Sequence, residues 1–383
     1  MIAIDFFIEH FPPHSTAAAI KAKTVADAIV RAYPNVDLRI VTTVEPSGQP
    51  SNYAVTGLSR RVAPTDAGLL RRSILETWFG LKSVLRLIRR RPDFAIVSSP
   101  SFLFSLPIAL ISGFLGIPYI MEVRDLYPDA YADAGVMNSR SLTYRVLAGL
   151  SRRIFRKSLL IIAATEGIRR RIAVTSNRAD ILCVYNGYPT CLHGIAEPKY
   201  QRFTACFHGG LGYFQDIDTL VAVADQLIHH DIDTIVIGSG RKANLLENVS
   251  SIKYLGRMPL EQTLREVARC HVGLSLRVDN SISRDAFPLK VFEYMALGIP
   301  SIVTPESEAG SFVTSHRCGV VADSGDTDAI VSAVKRMRDD SDYYNGLASS
   351  CRLAAAGLDR ESLADDFAKH VGQACGIFTR RFE

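Results

Sequence analysis

The chain has no low-complexity tract and no internal repeat, and its 26 glycines and 17 prolines are ordinary shares of 383 residues. A disordered, collagen-like or repeat protein is therefore excluded. Cysteine pairing is also missing. Cys183, Cys191, Cys206, Cys270, Cys318, Cys351 and Cys375 are odd in number, scattered and never in CxxC spacing, which argues against a disulfide scaffold or zinc ribbon and for a reducing compartment. The nine histidines form no HxH or HExxH pattern, so no metal site is expected. No basic leader precedes an apolar stretch with a small-residue cleavage site, and MIAIDFFI reads as a strand, so no cleavable signal is expected. Only residues 95–121, AIVSSPSFLFSLPIALISGFLGIPYIM, are uncharged over a length that would span a bilayer. Ser99, Pro100, Pro107, Gly113, Gly116 and Pro118 divide that run. The preferred reading is a strand at 94–98, a buried helix at 101–115 and a strand at 118–123, a βαβ unit apolar on all sides.

What is present describes a soluble globular chain of two domains, with 48% apolar, 22% charged and 9% aromatic residues. The net charge of +5 hides an asymmetry. Residues 1–190 hold 24 Lys+Arg against 14 Asp+Glu, and residues 191–383 hold 20 against 25. The positives bunch at Arg71, Arg72, Lys82, Arg86 and Arg89–Arg91, and again at Arg152, Arg153, Arg156, Lys157 and Arg169–Arg171. Such clusters attract phosphate, whether of nucleic acid, lipid headgroup or a pyrophosphate-linked substrate. Short β-branched runs alternate with 3.6-residue patterns, as a doubly wound α/β fold requires. Strands are expected near 2–8, 37–42, 94–98, 118–123, 159–163 and 180–184, and the alternation restarts at FTACFHGG after a Pro- and Gly-containing stretch, Asn186 to Pro198. The expected architecture is two Rossmann-like domains, 1–185 and 186–365, with the segment 366–383 crossing back to the first. Ligand crevices of open parallel sheets lie at the carboxyl ends of the strands, so the chemistry is expected in the cleft between the domains.

Three glycine-bearing turns follow strands of the second domain. Gly209-Gly210-Leu211-Gly212 leads into a helix whose amides would face a phosphate, or else its glycines simply permit a tight turn. Gly238-Ser239-Gly240-Arg241-Lys242-Ala243 formally fits G-x-G-x-x-A, with Glu261 about 20 residues on, but it opens no nucleotide-binding unit and is set aside for NAD. Gly256-Arg257 is the third. The most informative stretch is Asp285-Ala-Phe-Pro-Leu-Lys-Val-Phe-Glu293-Tyr-Met-Ala-Leu-Gly-Ile-Pro300. It places Asp285 on a loop lip and residues 287–290 at a helix start, whose amides and dipole favour an anion, with the charge of Lys290 added there. Glu293, one turn on and on the same face, can accept hydrogen bonds from two vicinal hydroxyls, as on a ribose. The alternative is a solvent-facing Lys-Glu pair.

Through these residues the chain resembles retaining glycosyltransferases of the GT-B fold, family 4, over nearly its full length. The family's E-x7-E element is matched by Asp285-x7-Glu293, and PLKVFEYMALGIPSIV resembles the subgroup acting in bacterial surface-polysaccharide synthesis. HFPP at 10–13, IVSSP at 96–100, MEVRDLYPD at 121–129 and Tyr185-Asn186-Gly187 resemble further segments of it. The resemblance implies two domains facing across a cleft and a nucleoside-diphosphate-sugar donor. Glu293 would bind its ribose, Lys290 and the 287–290 amides (Pro288, Leu289) its pyrophosphate, and Asp285 the sugar hydroxyls. Gly209, Gly210, Gly238, Arg257 and Met258 are further donor-binding candidates. Three departures stand out. Asp285 is one methylene shorter than the usual glutamate. Gly210 and Gln215 replace a pair of basic residues that grip the diphosphate, leaving Lys290 to carry more charge, helped by Arg284 or Arg257. Arg124, followed by Asp125, stands where many relatives have a catalytic-site histidine; it is assigned to diphosphate or acceptor binding, the alternative being a salt bridge with Glu122 or Asp125. The catalytic candidates are therefore Arg124, Asp125, Asp285 and Lys290. In the family's favoured scheme the acceptor hydroxyl attacks on the face the diphosphate leaves, a phosphate oxygen takes the proton, and no cofactor or metal is needed.

The acceptor half is the basic one. Ile74, Trp78, Leu81, Leu85 and Ile88 recur at helical spacing within 68–91, with arginines and Lys82 around them. The preferred reading of the stripe is a core-facing one, while the surrounding cations suit an anionic inner-membrane surface or a lipid-diphosphate-linked saccharide acceptor. HFPPHSTAAA after the first strand is the expected acceptor loop, with His10, Pro12, Pro13 and His14 as its candidates. A cytoplasmic enzyme, peripheral on the membrane, is expected, transferring a hexosyl or N-acetylhexosaminyl group from a UDP-sugar. A nucleotide-sugar epimerase of the same fold and a non-catalytic nucleotide-sugar-binding protein are the alternatives. Nucleic acid is not expected as a partner, since the basic clusters lack interleaved aromatics.

Overall fold

The computed structural model describes residues 1–12, 17–44, 52–59, 69–99 and 101–377. They divide into two units, Met1–Asn186 with a returning C-terminal helix, and Gly187–Asp359. In the first unit the order is β1 (Ile2–Phe7), α1 (Ala17–Ala32), β2 (Val36–Val44), β3 (Ala54–Ser59), α2 (Leu69–Arg90), β4 (Phe94–Ser98), α3 (Phe102–Leu115), β5 (Tyr119–Val123), α4 (Asp129–Asp133), α5 (Leu142–Lys157), β6 (Leu160–Ala163), α6 (Glu166–Ser176) and β7 (Ile181–Cys183). The second holds β8 (Thr204–Gly210), α7 (Ile217–Leu227), β9 (Asp233–Ser239), β10 (Ile252–Tyr254), α8 (Leu260–Ala268), β11 (Val272–Ser275), α9 (Ser281–Asp285), α10 (Leu289–Ala296), β12 (Ser301–Val303), α11 (Glu308–Ser315), β13 (Gly319–Val321), α12 (Thr327–Asp339) and α13 (Ser341–Ala355). The last helix, α14 (Arg360–Ala374), belongs to the first unit.

Both sheets are parallel and doubly wound, in the orders β3-β2-β1-β4-β5-β6-β7 and β10-β9-β8-β11-β12-β13. Strands covered on both faces read as unbroken apolar runs, and β5 (YIMEV) is buried at every residue, Glu122 included. One face of the first sheet carries Phe6, Ile40 and Ile120 against α1 and α14, with Ile29 and Phe367 fully buried between them. The other carries Phe7, Val97 and Met121 against α2, α3 and α5. In the second unit Phe207, Val236 and Leu274 pack with Leu220, Val223 and Val334.

The uncharged run 95–121 is divided among β4, α3 and β5, and among the described residues no helix is long and apolar enough to cross a membrane. The return to the first unit comes at 360, six residues before the expected 366. Gly357, in a left-handed turn with φ +75°, separates α13 from α14, and α14 packs on α1 through Phe367, Ala368 and Val371. The winding reverses between β1 and β4 in one sheet and between β8 and β11 in the other. At such switch points adjacent loops diverge and leave a crevice beyond the carboxyl ends of the strands.

Candidate functional site

In the second unit the loops after β8 and β11 are zipped together. Gln215 and Arg277 form an antiparallel bridge, and the amides of Asp216 and Val278 donate to the carbonyls of Leu276 and Phe214 at 3.1 Å. Behind them lies α10. Pro288 precedes its first turn with φ −62° and no side chain caps that end, leaving amides directed outward. Its other end closes with the amides of Gly298 and Ile299 donating to the carbonyls of Met295 and Tyr294, the paired bonds of a left-handed helix stop.

Lys290, in that first turn, is only 8% exposed. Its Nζ sits 3.3 Å from the centre of the Phe207 ring and donates to Gln215 Oε1 at 3.3 Å. Among the described residues no carboxylate lies within ion-pair distance of it. Burial, reinforced by the charge of Arg277, holds its pKa well below the ordinary lysine range, with Glu293 acting weakly the other way. Glu293, 6% exposed, accepts from His208 Nε2 at 2.6 Å. His208 Nδ1 meets the Tyr294 hydroxyl at 3.1 Å, and that hydroxyl is 3.1 Å from the Cys206 carbonyl. A chain of hydrogen bonds from β8 thus fixes the carboxylate one turn from the lysine. The solvent-facing alternative for this pair does not hold, because α10 is buried from Lys290 to Met295.

The remaining donor candidates fall into three groups. Gly209 and Gly210 end β8, are exposed, and open toward Lys290, whose Cε is the one atom near a Cβ built at Gly209, at 3.9 Å. Pro288 and Leu289 form the α10 entry, and Asp285 is the half-buried last residue of α9. Gly238 takes φ +151° because the backbone of Gly209 leaves no space for a Cβ, so its role is the close approach of β9 to β8. Arg257 and Met258 follow β10, the edge strand, with Arg257 exposed and Met258 half-buried against a buried cluster that includes Ile235 and Tyr294. Two expectations are corrected. The helix after the glycine turn, α7, offers no free amino end, because Asp216 accepts from the Thr219 amide at 3.2 Å and places a carboxylate there. Arg284 is turned outward into a two-pronged pair with Asp279, both bonds 2.7 Å, so the second cation beside Lys290 is Arg277. Sequence reading missed Arg277 and His208, since each reaches the site from a different strand end and neither lies in the 285–300 stretch.

In the first unit, the loop after β1 holds Glu9, His10, Phe11 and Pro12; Pro13 and His14 lie outside the described residues. His10 Nε2 is 3.4 Å from Glu9 Oε2. Burial, with the charge of Glu76 adding, pushes the Glu9 carboxyl up to about 8 against the weaker pull of Arg72. Arg124 follows β5 and makes the salt bridge weighed as its alternative, giving two 3.0 Å hydrogen bonds to Glu122 Oε1. Lys21 Nζ is 3.4 Å from the same oxygen and Ser98 Oγ donates to Glu122 Oε2 at 2.6 Å. Burial alone would raise the Glu122 carboxyl, but the charges of Arg124 and Lys21 outweigh it and hold its pKa at about 2. Asp125 is the half-buried neighbour of Arg124.

The α2 stripe is the third correction. Ile74, Trp78, Leu81, Leu85 and Ile88 face outward, between 42% and 61% exposed, and the core face is Phe79, Ser83, Val84 and Leu87. Both faces carry apolar side chains at helical spacing, so periodicity alone could not choose. Gly80 decides it: a Cβ there would meet the Phe104 carbonyl and Pro107 at 2.8 Å, and only that side lets α2 approach α3. Among the described residues no group of three or more His, Cys, Asp or Glu side chains could hold a metal ion.

Residues 202–340 match the family described as Glycosyl transferases group 1. A curated relative, "Probable glycosyltransferase WbjE" of Pseudomonas aeruginosa, is 24% identical over 239 residues, covering 57% of this chain. The chain spans 59% of that relative's length. Two solved structures share the fold. They are sucrose-phosphate synthase (tll1590) from Thermosynechococcus elongatus, at TM-score 0.75 and 12% identity over 99% of this chain and 100% of that one, and Anabaena Alr3699/HepE in complex with UDP and glucose, at TM-score 0.68 and 14% identity over 97% and 100%. The fold is thus GT-B, two parallel-sheet α/β units.

Proposed function

We propose that this chain is a retaining glycosyltransferase that moves a sugar from a UDP-sugar to a lipid-diphosphate-linked saccharide, at the inner face of a membrane, in cell-surface polysaccharide synthesis. The group 1 match over the second unit and the UDP held by a protein of the same fold support a nucleotide-sugar donor. The observation that carries the reading is a buried lysine without a counter-ion at the uncapped start of α10, with Arg277 near it. An isolated buried ammonium is costly unless an anion meets it, and a diphosphate is an anion of the right kind for a helix amino end.

In this scheme the pyrophosphate lies on the α10 amides between Lys290 and the open backbone of Gly209 and Gly210. Glu293, oriented by His208, receives the ribose hydroxyls, and Asp285 the hydroxyls of the sugar. As the C1–O bond to the diphosphate breaks, charge grows on the leaving oxygen. Lys290 and Arg277 stabilise it more in the transition state than in the ground state. The acceptor hydroxyl forms the new bond on the same face, its proton passes to the departing phosphate, and UDP is released. The first unit supplies the acceptor loop at His10 and Pro12, and Arg124 is an anchor already partnered by Glu122.

A thermal-shift titration tests the donor half. UDP raises the melting temperature of the wild type, and Lys290→Ala and Glu293→Ala each lose most of that shift. A wild-type chain that neither UDP nor GDP stabilises contradicts the assignment.

A further inference from the structure

The first unit holds a cavity of about 560 Å³ between the second half of α2 and the strands β1, β2 and β3. That volume is in the range of small-molecule sites. Lys82, Arg86 and Arg89 reach it at i,i+4 and i,i+3 spacing on α2, Arg90 follows them, and Arg39 comes to the same hollow from β2. Like charges at such spacing repel, so a merely solvated helix face gains nothing from gathering them, still less from a fifth cation across the cavity. None of the described lining residues belongs to the loops after β1 and β5 that hold His10 and Arg124. The cavity is therefore separate from the acceptor loop, and from the donor residues of the second unit.

Among the described lining residues Asp5 is the one carboxylate. It is already taken up by Arg90, whose Nε is 3.3 Å from Asp5 Oδ1 and whose Nη2 donates to Asp37 at 2.7 Å. Arg39 Nη2 lies 3.6 Å from that same Asp37. Lys82 has the Leu58 carbonyl at 3.4 Å and the Trp78 ring at 5.3 Å, and Arg86 and Arg89 make no ion pair or hydrogen bond among the described residues. Five cations thus face two carboxylates, a surplus of three positive charges. That surplus decides what fits. A phosphodiester brings about one negative charge and a phosphomonoester roughly two, whereas a triphosphate brings about three to four. Arginine forks also take phosphate oxygens two at a time, which suits a chain of adjacent phosphates.

We propose that this cavity is a binding site for a soluble triphosphate, inorganic or carried by a nucleoside, held by Arg39, Arg86 and Arg89 with Lys82 beside them. The site is a second one, independent of the donor chemistry at α10.

The test is calorimetric titration of the full chain with inorganic tripolyphosphate, ATP, orthophosphate and glycerophosphoglycerol, the soluble headgroup of an anionic lipid. It is run on the wild type and on Lys290→Met, which disables the proposed donor site. Tripolyphosphate binds both proteins roughly 30-fold or more tightly than orthophosphate or glycerophosphoglycerol does. The rank of ATP against tripolyphosphate shows whether a nucleoside adds to the contact, and supports the site in either order. Arg86→Gln with Arg89→Gln weakens tripolyphosphate roughly 100-fold, the loss of two charge-assisted contacts. Arg152→Gln with Arg153→Gln removes the same charge from another exposed cluster and weakens it by roughly threefold at most, since separated surface charges are screened. Both double variants keep the wild-type melting temperature, because all four side chains are exposed. A wild type that binds tripolyphosphate but not UDP leaves this site standing and sinks the donor assignment alone. The proposal is overturned if tripolyphosphate binds no more tightly than orthophosphate or glycerophosphoglycerol, or if the Arg86/Arg89 variant binds it like the wild type. Equal losses in the Arg152/Arg153 variant, or binding that disappears in Lys290→Met, overturn it as well.

Discussion

Each unit buries a lysine near the start of a helix that follows a switch-point strand, and the two are neutralised differently. Lys21, in α1, has Glu122 at 3.4 Å, and Arg124 and Ser98 complete a closed polar network. Burial depresses its pKa to about 8 against the pull of Glu122. Lys290, in α10, has an amide oxygen, a ring face and the like charge of Arg277, while the nearby Glu293 is held by His208. One lysine is a component of the fold. In the proposed function the other meets a charge that comes from outside.

Replacing each lysine by methionine breaks the comparison most directly. Lys290→Met lowers UDP release from a UDP-sugar by roughly two to three orders of magnitude, as expected for a lost transition-state donor. It leaves the unliganded protein at least as stable, because it removes a buried charge that no carboxylate neutralises. Lys21→Met does the opposite to stability. It strips Glu122 of one of its two cations and lowers the unfolding free energy by about 3 kcal/mol, read from denaturant midpoints. Equal stability losses for the two variants would show that Lys290 has an internal partner after all.

The first unit also contains a carboxyl that sharpens the contrast with Glu122. Glu9, raised to about 8 by burial, keeps its proton in the folded chain over a range where the unfolded chain has released it. Stability conferred in this way is full below the ordinary carboxylate pKa of 4.5 and is lost as pH rises through about 8. Glu9→Gln removes that loss, on the order of a few kcal/mol between about pH 5 and about pH 9. Denaturation curves at those two pH values check it. A variant as pH-sensitive as the wild type rules Glu9 out as the cause.

Much of this was legible in the sequence, for identifiable reasons. Strands covered on both sides carry their own signal, so IAIDFF, FAIVS and YIMEV read directly as parallel strands. The 285–300 stretch was legible because its chemistry is local: Lys290, Glu293 and the uncapped entry lie within one short helix. The partners of that helix were not, because Arg277 and His208 are neighbours only through the β8/β11 switch. Likewise the choice between the two apolar faces of α2 depended on Gly80 meeting Phe104 and Pro107 of α3, a contact between helices that periodicity does not encode.

Titration calorimetry of UDP, run on the wild type and on Lys290→Met in two buffers of different ionisation enthalpy, tests the central claim. An incoming diphosphate raises the depressed pKa of Lys290. Wild-type binding therefore takes up protons and weakens as pH rises, and the variant binds more weakly with that uptake gone. UDP binding to Lys290→Met with wild-type affinity and the same proton count would contradict it.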